Sequence, residues 1–145
     1  MTIGETKYWI ATHCGENAED SIKKLFELKN WQFGRSYPDL NTGDIIIFYV
    51  SVKGKKKRYF IGEARISSET HEPTRKSIDG GTTDEYEIDF DNVVLWNPLY
   101  FTKDMNDDLN FIKEAVNPGM AFKDKAFIKI DEHDYNLIML KKIVK

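Results

Sequence analysis

The sequence predicts an α+β domain built on a mixed sheet, and three stretches carry that prediction. Thr42 to Val50 is a β-branched and aromatic run behind a Gly-Asp start, apolar on both faces as a buried central strand is. Tyr86 to Phe90 alternates strictly, with the period of a half-buried strand. Ile22, Leu25, Phe26 and Lys29 fall at i, i+3, i+4 and i+7, one stripe along a helix of about three turns. With 145 residues the chain is long enough to bury a core, and a single domain spanning 1–145 is expected.

Taken in order, Lys7 to Ala11 reads as a short aromatic strand with Tyr8 and Trp9 on opposite faces. It is expected to end in a polar turn at Thr12-His13-Cys14-Gly15. Asn17 is the expected N-cap of the first helix, with Glu19 and Asp20 where the helix dipole favours anions. Asn30 and Gly34 bracket the end of that helix, which places Trp31 and Phe33 in its exit loop. Tyr37 to Asp44 is turn chemistry leading into the central strand. Tyr59 to Ile66 is the hairpin partner of that strand. Gly62 sits in its middle, where a bulge or the close approach of another backbone is expected. The connection from Lys53 to Arg58 is basic. It reads either as a solvated hairpin tip or as a phosphate-contacting fingertip at Lys55, Lys57 and Arg58.

Ser67 to Asp84 is polar, has no periodicity and contains Pro73 and Gly80-Gly81, the composition of a long connecting loop. Asp91-Asn92 marks a bulge, after which Val93, Leu95 and Trp96 continue the strand begun at Tyr86. Asp104 to Val116 places Leu109, Ile112 and Val116 at helical spacing and stops at Asn117-Pro118-Gly119. Ala126 to Ile130 is a last strand. Asp131 then caps a final helix whose inner stripe is Tyr135, Ile138 and Met139.

Composition narrows the function. Aromatic residues make up 13% of the chain, more rings than a core of this size needs. The net charge of -3 gives no overall attraction to nucleic acid or acidic membranes, so any polyanion contact must use a local patch. A single cysteine, Cys14, rules out an internal disulfide and suits a reducing cytoplasm. No apolar run approaches the ~20 residues of a membrane span, and nothing resembles a signal peptide. A cytoplasmic protein without membrane contact is expected.

No convincing catalytic set emerges. His13 and Cys14 are neighbours on an extended chain, so their side chains diverge where a catalytic pair must converge. His13, His71 and His133 are scattered, and with one cysteine there is no zinc-site spacing; neither a metal nor a cofactor is expected. No EF-hand loop follows Asp104, Asp107 and Asp108, which read as charges at a helix start. Gly80-Gly81 lacks the Lys-Ser/Thr helix start of a phosphate loop.

The order of short motifs resembles the EVE domain. The residues are Tyr8-Trp9-Ile10, Asn30-Trp31 with Gly34, Leu40 with Gly43-Asp44, Phe48-Tyr49, Phe111-Ile112-Lys113, Phe122 with Lys125-Ala126, and Asp134-Tyr135. Each motif alone is weak; their joint order covers nearly the whole chain. The resemblance implies the PUA-like superfold, a curved mixed β-sheet pseudo-barrel flanked by helices. That fold is similar to YTH domains, which read N6-methyladenine in RNA, and to ASCH domains. The implied function is binding of DNA or RNA carrying a modified, methylated base, taken out of its stack into an aromatic pocket.

Under this resemblance Trp31 is the stacking residue, the alternative being a core plug. Thr12 and His13 contact the base edge. Phe33 and Gly34 belong to the same wall, as does Tyr49, which equally suits the core. Phe122 and Lys125 close the pocket and meet a phosphate. The stretch from Ser67 to Asp84 departs from the YTH pattern: it holds no Trp to supply a second wall. Two other readings stay open. One is an ASCH-like hydrolase acting on modified nucleosides or RNA through Thr12, Lys29 and Glu63. The other is a protein-interaction module or homodimer using its aromatics as an interface.

Overall fold

The computed structural model describes residues 6–15, 17–33, 39–52, 57–74, 86–100, 103–113 and 127–144. The elements are β1 (Tyr8–Gly15), α1 (Ala18–Leu28), β2 (Asn30–Phe33), β3 (Ile45–Val52), β4 (Lys57–Ile66), β5 (Tyr86–Tyr100), α2 (Lys103–Asp108), α3 (Asn110–Lys113), β6 (Phe127–Ile130) and α4 (Glu132–Lys141). The strands form one curled mixed sheet in the order β2-β5-β4-β3-β1-β6. β1 and β3 are parallel, and every other pairing is antiparallel. This is the PUA-like α+β architecture.

The apolar run of β3 is central because it buries side chains on both faces. One face holds Ile46, Phe48 and Val50 together with Trp9, Ala11, Trp31, Phe33, Ile88 and the inner stripe of α1, which is Ile22, Leu25 and Phe26. The other holds Ile47 and Tyr49 with Ile10, Phe60, Trp96 and the apolar residues of α2, α3 and α4. Tyr8 and Trp9 therefore sit on opposite faces, as alternation requires.

Glycine and asparagine mark the irregularities. The register of β4 on β5 shifts between Phe60 and Gly62. A Cβ at Gly62 would lie 2.8 Å from the Val94 carbonyl oxygen, so close backbone approach requires glycine there. Asn92 adopts φ 52 at the bulge expected near Asp91-Asn92, where a short polar side chain tolerates the left-handed region. The strand does not end there: β5 runs on to Tyr100, pairing with β2 through Tyr86–Asp89 and with β4 beyond it.

Several local expectations are corrected. Thr12-His13-Cys14-Gly15 is not a turn. Parallel pairing with β3 holds the chain extended to Gly15, with Thr12 opposite Tyr49 and His13 opposite Val50. Trp31 and Phe33 are not in an exit loop. They lie in β2, opposite Ile88 and Tyr86 of β5. Asn17 stands at the N-cap of α1 without a side-chain cap hydrogen bond, and Lys29 ends the helix in the left-handed conformation.

The helix expected from Asp104 to Val116 is broken at Leu109. The buried carboxylate of Asp134 accepts from the backbone N–H groups of Asn110 (2.7 Å) and Phe111 (2.9 Å) and so caps a separate helix. Asp107 and Asp108 thus end α2 instead of starting a helix. Val116, Asn117-Pro118-Gly119 and Ala126 lie outside the described residues. Asp131 caps α4 as expected, accepting from Asp134 N at 2.8 Å. Within the stretch expected to be loop, His71 pairs antiparallel with Glu87 of β5 through hydrogen bonds of 2.9 and 2.8 Å. No helix among the described residues is long and apolar enough to cross a membrane.

Candidate nucleic-acid interface

The ring expected to stack on a base is buried. Trp31 is 3% exposed, tilted at 35° against Phe48 with centroids 5.4 Å apart. His13 meets it edge-on, centroids 5.6 Å apart and planes at 78°. His13 is half-buried and is the more accessible ring of the pair. Strand alternation puts His13 on the face of Trp31 and turns Thr12 to the other face, so the two side chains do not line one wall.

The other expected wall residues divide in the same way. Phe33 shares the Trp31 face, buried against Phe127 (5.0 Å, edge-on) and Tyr86 (5.7 Å). Tyr49 is a correction: it belongs to the second core cluster, edge-on to Phe60, and the sheet separates it from Trp31. Burial pushes its phenol up to about 12, with Arg58 opposing the shift. Gly34, Phe122, Lys125 and Lys55 lie outside the described residues. Lys57 opens β4, and Arg58 follows it, exposed and opposite Ser51.

Of the residue types considered for hydrolysis, Lys29 and Glu63 belong to opposite faces of the sheet. Glu63 pairs with Lys142 at 2.8 Å on the face that carries Trp96 and α4. Lys29 ends α1, which packs on the opposite face. Burial raises the Cys14 thiol above its ordinary value, Ser51 and Arg58 opposing, so this thiol is not activated beside His13.

A polar network that spacing alone did not reveal occupies the β2–β5 end of the sheet. Glu87 is fully buried. Its Oε1 accepts from Gln32 Nε2 (3.0 Å) and Thr74 N (3.3 Å), and its Oε2 accepts from Thr74 Oγ1 (2.7 Å). Burial pushes the carboxyl up, and the hydrogen bonds from Thr74 and Gln32 outweigh that, leaving it below the usual range. His71 is raised, first by its hydrogen bond to the Glu72 carbonyl and further by Asp89 and Glu87, against the opposing effect of burial. Alternation made Glu87 look solvent-facing; only the fold shows that the segment after β4 covers it.

No protein-family model matches the sequence, and no curated protein sequence matches it. Solved structures do. Human THYN1, seen in complex with DNA containing 5-methylcytosine, superposes with a TM-score of 0.60 at 13% identity, over 93% of this chain and 96% of that one. The YTH domain of Zygosaccharomyces rouxii MRB1, in complex with N6-methyladenosine RNA, gives 0.58 at 18% identity, over 100% and 92%. A single-residue variant of the ASCH protein of Zymomonas mobilis gives 0.63 at 9% identity, over 94% and 99%. These likenesses show the fold, the PUA-like α+β architecture.

Proposed function

We propose that this chain is a non-enzymatic nucleic-acid-binding module that takes a modified, methylated base of DNA or RNA against the Trp31–His13 ring pair. The observation that carries the reading is that pair, edge-on at 5.6 Å, formed where the parallel β1–β3 ladder approaches its end. Support comes from a fold whose neighbours include one protein seen with methylated DNA and one with methylated RNA. Stacking on one aromatic contributes roughly 1–3 kcal/mol per base, whereas a methyl adds only about 1 kcal/mol of apolar burial. Selectivity for the methyl group therefore comes from close fit and edge hydrogen bonds, for which the imidazole of His13 is suited.

Because Trp31 is 3% exposed, the base must displace what now lies against the ring. Binding thus includes opening of the pocket, and a slow association is expected. The test is tryptophan fluorescence titrated with oligonucleotides bearing methylated, hydroxymethylated or unmodified cytosine and adenine. Quenching by one modified strand, lost in Trp31→Phe, supports the reading; no response to any strand removes it.

A second reading rests on a separate surface. Leu95, Tyr100, Leu140, Ile143 and Val144 are exposed, and the Trp96–Val144 pairing draws the C-terminal residues to the edge of β5. A concentration-dependent dimer in sedimentation, with no affinity for any oligonucleotide, would favour an interaction module.

A further inference from the structure

His71 reaches β5 from the segment that follows β4, and its surroundings fix the roles of its two nitrogens. Nδ1 lies 2.8 Å from the Glu72 carbonyl oxygen. A carbonyl only accepts, so Nδ1 carries the hydrogen. In the neutral ring Nε2 is then a lone pair. That atom is buried and has no hydrogen-bond partner among the described residues. It faces Oδ1 of Asp89 at 3.3 Å. Two acceptors held this close need positive charge between or beside them.

The neighbouring groups supply a ligand set. Glu87 brings a fully buried carboxylate beside the ring. His71, Glu87 and Asp89 each place a ligand atom within 4.8 Å of the others. Ligands at about 2.0–2.1 Å from a tetrahedral ion stand roughly 3.3–3.4 Å apart, which is the separation of His71 Nε2 from Asp89. Gln32 and Thr74 fix the orientation of Glu87, and the Glu72 carbonyl fixes the imidazole, the kind of outer support that metal ligands have. A cleft of about 550 Å³, lined in part by Glu69, His71, Glu72 and Tyr86, lies beside His71.

We propose that His71, Glu87 and Asp89 form a site for a divalent transition-metal ion of the zinc type, with water completing the coordination. The ion fastens the His71 segment to β5. This assignment is independent of base binding. It was invisible in the sequence because the ligands come from two segments that meet only through the sheet.

Chelator-treated protein titrated with zinc chloride by calorimetry at neutral pH tests it. One ion per chain is expected, with affinity reduced by about tenfold or more in His71→Ala and in Asp89→Asn. His133→Ala is the control, since His133 sits with Asp131 and Asp134 in the other histidine–carboxylate cluster among the described residues. Zinc uptake unaffected by His71→Ala, or lost only in His133→Ala, overturns the site. Absence of zinc binding overturns it too, leaving His71 as a protonated partner of Asp89. Should the variants fail to fold, the wild-type His71 ring resonance decides: a shift with zinc upholds the site, and an unmoved resonance removes it.

Discussion

Trp9 donates its indole N–H to Oδ2 of Asp44 across 3.1 Å, inside the core that also holds Trp31. The same carboxylate accepts from Lys7 N (3.1 Å, at Oδ1) and from Asn41 N (3.0 Å, at Oδ2), so one buried side chain fixes the start of β1 and the turn into β3 together. Asp44→Ala strands these donors, and leaving a buried group unsatisfied costs about 1–3 kcal/mol each. Urea unfolding is expected to show a loss of more than about 2 kcal/mol, whereas Trp9→Phe removes only one partner and loses less. A midpoint unchanged in Asp44→Ala would show that water replaces the carboxylate.

Trp31 and His13 separate stability from binding. Trp31→Ala is expected to cost about 3–5 kcal/mol, as truncation of a buried indole does, and so is a poor probe of function. His13→Ala, at a half-buried position, should leave the unfolding midpoint nearly unchanged and weaken binding of a modified strand severalfold. Equal affinity in His13→Ala would take the imidazole out of the site.

The basic stretch from Lys53 to Arg58 offers a salt-dependent test. Neutralising phosphates releases counterions, so each lost contact lowers the slope of log affinity against log salt by about 0.7–0.9. Replacing Lys55, Lys57 and Arg58 with Glu is expected to flatten that slope and weaken all strands alike. A slope identical to wild type would leave these charges a solubility device.

Gly62 is predicted to resist any side chain. In Gly62→Ala the new Cβ meets the Val94 carbonyl oxygen at 2.8 Å, a backbone atom that moves only with β5. A destabilisation of roughly 1–3 kcal/mol is expected, read by thermal unfolding. Wild-type stability would mean that the bulge shifts at little cost.

Alkali should unfold the protein partly through Tyr49. Its phenol is neutral in the buried site and is pushed from an ordinary 10 to about 12. The folded state therefore prefers the protonated form; its contribution is intact below pH 10 and is lost as pH rises towards 12. Tyr59, hydrogen-bonded to Glu19 at 2.6 Å, is raised in the same direction. Stability of Tyr49→Phe followed between those pH values should fall less steeply than wild type; parallel curves would assign the alkaline loss elsewhere.

What was legible in the sequence was local. The central run of β3, the stripe of α1, the bulge at Asn92, the special role of Gly62 and the Asp131 cap all follow from short-range pattern. β2 was missed although Asn30-Trp31-Gln32-Phe33 alternates, because four residues beside a helix end look like a turn until β5 supplies their partners 53 to 59 positions on. Thr12 to Gly15 were missed for the same reason, since parallel pairing with β3 leaves no signal within the segment. For the candidate site, the sequence offers residue types and leaves open the faces on which they stand. Trp31 and Tyr49, read as one wall with the core as the alternative for each, are both buried and stand on opposite sides of the sheet.

The strand order also constrains the timing of synthesis. Among the described residues, β2 pairs only with the first residues of β5, and the outer edge of β1 is closed only by β6. On a ribosome releasing the chain from its N-terminus, the first third would emerge with Trp31 unsupported and one β1 edge open. Only after residue 130 is made can the last ladder form. Such late closure lengthens exposure of hydrophobic strands, so a nascent chain stalled before β5 is expected to be captured by chaperones or degraded, not held as a folded fragment.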